Sequence, residues 1–174
     1  MKKSLFQIIM IIPAVLLLCC ASGYQRQVEE GITGEEAKAF SDQDLEIWND
    51  GNLAVADDLY DPDYVQHSNE LEDIVGIDAF KEGVTILRTD YPDFNFTIEE
   101  IIVKDDKIVT RWIATGTNTG TASDIPPTGK KIRVSGISII HVVNGKFVER
   151  WTNYNEATVL RQFGFIFTPP QLIK

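Results

Sequence analysis

The sequence predicts an α+β domain, and two observations carry that prediction. Apolar residues recur at helical spacing through residues 35–89, and from Phe94 onward the chain turns to β-branched and aromatic runs separated by turn residues. Helices first and a strand meander afterwards place helices over one face of a curved sheet. The 174 residues fit one such domain with a little chain left over, and 44% hydrophobic content is enough to build a core.

The elements follow in order. Ala37, Phe40, Ile47 and Trp48 fall near one face of a first helix, which Asn49-Asp50-Gly51 breaks. Asn52 can cap a short second helix over residues 53–60, stopped by Asp61-Pro62. Residues 64–67 form a short extended piece. A third helix over residues 77–89 lines up Ile77, Phe80, Val84 and Leu87, and Tyr91-Pro92-Asp93 closes it. Strands are expected over 94–103, 108–117, 132–143 and 146–155, with a Thr-, Gly- and Pro-rich loop at 118–130. A last short helix over 156–163 ends at Gly164.

The N-terminus is of another kind. Met1-Lys2-Lys3 is basic, residues 5–18 are almost wholly apolar, and small residues follow, the order of a secretory signal. The apolar run falls short of the roughly 20 residues of a membrane span. Leu17-Leu18-Cys19-Cys20 resembles a bacterial lipobox, which assigns residues 1–19 to a signal cut before a lipid-bearing Cys20. Residues 20–34 then read as a tether and 35–174 as the domain, exported and anchored to a bacterial membrane only through that lipid. Both cysteines lie in this zone, so no disulfide supports the domain. The net charge of −10 and the absence of a basic stripe exclude a nucleic-acid partner. Two scattered histidines are a poor metal signature.

Asn144-Gly145 is a strong hairpin signal, and a two-residue turn sets strand register. With Val143 opposite Lys146, one face carries Val134, Gly136, Ser138 and Ile140 with Glu149, Trp151, Asn153 and Asn155. That face is the expected wall of a semi-polar pocket, with Glu149 near its rim. The other face carries His141, Ile139, Ile137 and Tyr154, and could meet its own copy in a homodimer.

A series of short motifs then points to a family. Ile47-Trp48-Asn49-Asp50-Gly51-Asn52 is followed by Leu59-Tyr60-Asp61-Pro62-Asp63-Tyr64-Val65-Gln66-His67 and Tyr91-Pro92-Asp93-Phe94. Arg111-Trp112, Thr115-Gly116-Thr117, Pro126-Pro127-Thr128-Gly129-Lys130, Asn144-Gly145-Lys146, Glu149-Arg150-Trp151 and Leu160-Arg161-Gln162-Phe163-Gly164 complete it. Together they resemble the SnoaL-like polyketide cyclase (ester cyclase) family, within the nuclear-transport-factor-2-like fold, over about residues 36–164. The resemblance implies a cone: about three helices on a strongly bent antiparallel sheet around one pocket. It also implies intramolecular aldol condensation by an acidic side chain, with no metal or organic cofactor.

The family's acid lies four residues after the strand tryptophan, where this chain has Asn155, and Asn118 replaces the frequent His of the Gly-Thr-His motif. Asparagine hydrogen-bonds a carbonyl but exchanges no proton at neutral pH. His67 matches a histidine common at the family's pocket edge; it is either a general base or a histidine satisfied at a strand end. The leading expectation is therefore a cone that holds a small apolar or carbonyl-bearing molecule, with Asn153 and Asn155 bonding it and Trp112, Ser138 and Trp151 against it. An active cyclase, hydrolase or isomerase with His67 as base, and a dimeric interaction module, are the alternatives.

Overall fold

The computed structural model describes residues 31–68, 72–123 and 125–168. The expected signal and Cys20, the residue expected to carry lipid, lie outside the described residues. Ordered contacts begin before the expected end of the tether: the Ile32 N–H donates to the Asp105 carbonyl at 2.8 Å, and Ile32 packs against the core.

Helix α1 (Gly34–Leu45) starts at a reciprocal cap, in which Thr33 Oγ1 accepts the Glu36 N–H at 3.2 Å and the Glu36 carboxylate accepts the Thr33 N–H at 2.8 Å. A π-helical turn over Glu46–Asp50 extends it, and Gly51, at φ 71°, ends it. Helix α2 (Leu53–Leu59) runs directly into β1 (Tyr60–Ser68), longer than the extended piece expected from sequence. β2 (Ile74–Val75) and helix α3 (Ile77–Asp90) follow, then β3 (Asn95–Lys104), β4 (Lys107–Thr117), β5 (Lys131–Val143), β6 (Lys146–Tyr154) and helix α4 (Glu156–Phe163).

The six strands form one sheet in the order β2-β1-β6-β5-β4-β3. Tight turns join β3 to β4 and β5 to β6, and the 118–130 loop joins β4 to β5, so β3 to β6 form an antiparallel meander, as expected. β1 departs from the expected antiparallel pairing, because it lies parallel to β6, and its register skips between Tyr60 and Val65. Pro62 falls in that gap, where it has no N–H to give a ladder.

Two apolar clusters hold the helices to the inner face of the sheet. The larger joins Ala37, Ile47, Ala56 and Leu59 to Tyr60, Tyr64, Phe80, Ile108, Ile140 and Phe147. Tyr60 is its hub, stacked on Phe80 at 4.3 Å and edge-on to Phe147 at 5.3 Å. The smaller cluster sets Trp112, Ala114 and Val134 against Phe94, Phe96, Tyr154 and Val159. Residues of both clusters line a common cavity.

Candidate functional site

The β5–β6 turn forms as its sequence dictates, with Asn144 at φ 52° and Gly145 at φ 76°. Val143 faces Lys146 and Val142 faces Phe147, but His141 then faces Glu149. Val148 is thus an extra residue in β6, a bulge, and one extra residue turns every later side chain to the opposite face. Its cause is visible in the packing. Phe147 is wholly buried in the aromatic core and Arg150 is 4% exposed, and residues three apart on a strand reach one face only around a bulge.

Register therefore places Arg150, Thr152 and Tyr154 inward, opposite Ile140, Ser138 and Gly136. Glu149, Trp151 and Asn153 face outward, opposite His141, Ile139 and Ile137. This corrects the expected pocket wall: Trp151, Asn153, Asn155 and Glu149 do not line the cavity, while Trp112 and Ser138 do. Tyr154, expected outside, lines it as well. Asn155 is exposed and caps α4, its side-chain oxygen accepting the Thr158 N–H at 3.1 Å.

His67 lies apart from that cavity, on the outer face. Its ring stacks on Trp151 at 5.4 Å, its Nδ1 meets Asp73 at 2.8 Å, and its Nε2 meets Glu149 at 2.9 Å. The bond to Glu149, helped by Asp73, raises the His67 pKa above its ordinary value. His141 continues the string, 3.9 Å from Glu149 and 2.8 Å from Asp106. Asn118 is fully buried and holds the 118–130 loop, its Oδ1 accepting both the N–H and the hydroxyl of Thr128.

The cavity has a volume of about 370 Å³. Trp48, Phe80, Phe94, Phe96, Trp112 and Tyr154 are the aromatic members of its wall together with Tyr91. Gly136 lets the Trp112 ring lie against β5, since a Cβ there would sit 2.3 Å from Trp112 Cζ2. The polar part of the wall comes from Gln66, Ser138, Thr152 and Arg150. Trp112 Nε1 donates to Ser138 Oγ at 3.0 Å, and Ser138 shares a 3.0 Å bond with the Thr152 hydroxyl. Gln66 Oε1 accepts the Tyr64 hydroxyl at 3.2 Å, which leaves its amide N–H groups as the part available to a ligand.

Arg150 is the charged member of this wall. Its Nη2 donates to Asp44 Oδ2 at 2.6 Å, and its guanidinium sits between the rings of Tyr60 and Phe147, 5.7 and 5.6 Å from their centroids. The other Asp44 oxygen accepts the Tyr60 hydroxyl at 2.5 Å and the Trp48 indole N–H at 3.0 Å. Burial works against the Arg150 charge, yet the Asp44 carboxylate outweighs it and the guanidinium pKa rises above its ordinary value. Burial likewise pushes the Tyr60 phenol up, so it stays a donor. The Arg150 Nε–H has no partner among the described residues.

Sequence reasoning missed Arg150, Thr152, Gln66 and Asp44. A signal for Asp44 was there: it stands on the helical stripe of Phe40 and Ile47, a carboxylate among apolar residues. Among the described residues the lining contains no Asp, Glu, His, Lys or Cys. What the wall can do is donate hydrogen bonds to an acceptor held between aromatic surfaces. Among the described residues no group of His, Cys, Asp and Glu is arranged to hold a metal.

Helices over the inner face of a bent six-stranded sheet, with an aromatic-walled cavity between them, define the nuclear-transport-factor-2-like fold. The sequence pattern of the SnoaL-like polyketide cyclases matches residues 41–163, and the chain belongs to that family. TsrD from Streptomyces laurentii is similar in structure, with a TM-score of 0.69 and 22% identity, over 76% of this chain and 98% of that one. IdmH from Streptomyces antibioticus gives 0.62 and 26%, over 74% and 99%. A SnoaL-like polyketide cyclase from Agrobacterium tumefaciens gives 0.61 and 16%, over 74% and 98%. Among curated proteins, none matches the sequence.

Proposed function

We propose that the domain binds a small, largely apolar molecule in its cavity and holds a carbonyl oxygen of that molecule on the donors of Gln66, Arg150 and Thr152. In this reading the aromatic walls supply affinity through burial and the donors supply orientation. The observation that carries it is the make-up of the lining: aromatic and donor groups, with no carboxylate or imidazole among the described residues. Aldol chemistry of the family kind needs a group that takes and returns a proton beside the carbonyl. Asn155, at the position of the family acid, is exposed on the far side of β6 and occupied as a helix cap. The domain is thereby read as a holder that polarises its ligand. The signal-like N-terminus adds that it is exported and tied to a bacterial membrane through lipid on Cys20.

The test is titration of the purified domain with hydrophobic ketones, followed by tryptophan fluorescence, since Trp48 and Trp112 line the cavity. Saturable quenching is expected in the natural protein. It should disappear in Ala114→Phe, whose ring fills the space next to Trp112. Absence of saturable binding to every ketone, or binding unaffected by Ala114→Phe, would refute the reading.

A further inference from the structure

We infer that Asp44, which does not itself line the cavity, selects the charge of the ligand: the site takes a neutral carbonyl compound and rejects the corresponding carboxylate. The inference rests on the ligand-holding reading above and deepens it.

Three observations carry it. Among the described residues Arg150 is the one cationic side chain in the lining, and a carboxylate on the ligand would seek it. That cation is already neutralised. Asp44 Oδ2 lies 2.6 Å from its Nη2, and both side chains are only 5% exposed, so water does little to screen them. Asp44 also cannot turn away to release its partner. Its other oxygen is held by the Tyr60 hydroxyl and the Trp48 indole N–H, anchored on two different elements. A second carboxylate would therefore share one guanidinium with Asp44 at short range, with no further cation to balance it. Removing such an ion from water without a full counter-charge is strongly unfavourable. A neutral carbonyl meets no such obstacle. It accepts from the part of the guanidinium on the cavity wall that Asp44 leaves unpaired, and from the Gln66 amide, at no cost in charge.

The outer-face string around His67 offers no counter-charge to the ligand, because its residues do not line the cavity. Asp44 is thus a positioning residue that acts through Arg150. Its replacement should change which ligand is preferred as well as how tightly anything binds.

The experiment uses three probes on one ring system: 2-acetylnaphthalene, 2-naphthoate and 2-ethylnaphthalene, at pH 7, where the acid is ionised. In the natural protein the ketone is expected to bind at least about tenfold tighter than the naphthoate, and tighter than the hydrocarbon. In Asp44→Asn the buried guanidinium loses its counter-ion. The naphthoate should then gain on the ketone by at least about tenfold, and should raise the melting temperature of the variant more than the ketone does. A double variant, Asp44→Asn with Arg150→Met, removes both charges, while the amide oxygen introduced by the first substitution can still accept from Tyr60 and Trp48. It is expected to shrink the ketone's advantage over the hydrocarbon, since only Gln66 and Thr152 remain as donors, and to give the naphthoate no gain on the ketone. This third arm reads the inference even if the single variant fails to fold.

Equal or tighter binding of naphthoate by the natural protein would overturn the inference, as would an unchanged ketone-to-naphthoate ratio in a folded Asp44→Asn. A ketone advantage over the hydrocarbon that is undiminished in the double variant would overturn it too, because Arg150 would then take no part in holding the carbonyl. Failure of all three probes to bind the natural protein would bring down the ligand-holding reading itself, whereas binding in the wrong order refutes the charge selection alone.

Discussion

The two faces of β6 carry similar chemical groups with opposite consequences. On the inner face Arg150 meets Asp44 at 2.6 Å with both side chains 5% exposed. On the outer face Asp73, His67, Glu149, His141 and Asp106 form a string of imidazole–carboxylate contacts, and the Glu149 side chain is 34% exposed. Water already solvates the outer charges, so their pairing adds little. The inner charges have given up their water, so each is committed to the other. Distance from solvent, more than residue type, decides which pair shapes the site.

Removing one partner on each side would break this contrast most sharply. Arg150→Met should cost about 3–5 kcal/mol in urea unfolding, because it leaves Asp44 buried without its counter-ion. Adding Asp44→Asn should recover part of that loss. If Arg150→Met costs no more than a surface substitution, the inner pair is not a desolvated unit.

A smaller effect is expected at Asn155, which the bulge carries outward. Asn155→Ala should lower stability by about 1 kcal/mol through loss of the α4 cap, while Asn155→Asp keeps the cap and changes stability little. Neither should alter ligand affinity; aldol activity gained by Asn155→Asp would show that this position reaches the cavity after all.

The smallest effect is the pH response of the outer string. The folded-state pKa of His67 is raised, chiefly by Glu149, so its protonated form is favoured by folding. That stabilisation is fully present below the unfolded value of about 6.5 and is lost as pH rises through the higher folded value. Compared with His67→Gln, the natural protein should lose under about 1 kcal/mol of relative stability across this window. A relative gain with rising pH would contradict the assigned bonds.

Where local chemistry decides structure, the sequence was readable. The Asn144-Gly145 turn, the apolar stripe of α3 from Ile77 to Leu87, and the strands of the meander lie where their residues place them. β5 shows its faces correctly, with Ser138 inward beside Trp112. β6 does not, because nothing in Phe147-Val148-Glu149-Arg150 announces that Phe147 and Arg150 both belong inside. That demand comes from the aromatic core and from Asp44, 106 residues away. The parallel contact of β1 with β6 was hidden for the same reason: pairing between distant segments leaves no local trace. Half of the expected site was thus misplaced by one inserted residue rather than by a wrong fold.

The order of the sheet also has a bearing on when the protein can be finished. β6 is the last strand in sequence, yet it lies between β1 and β5. A chain growing from its N-terminus therefore completes α1, α2 and β1 well before the strand that must lie beside them exists. Until residues near 150 arrive, β1 has one long side unpaired and Asp44 lacks its cation. Assembly of this domain is thus set to begin from its margins and to close, late, at its centre.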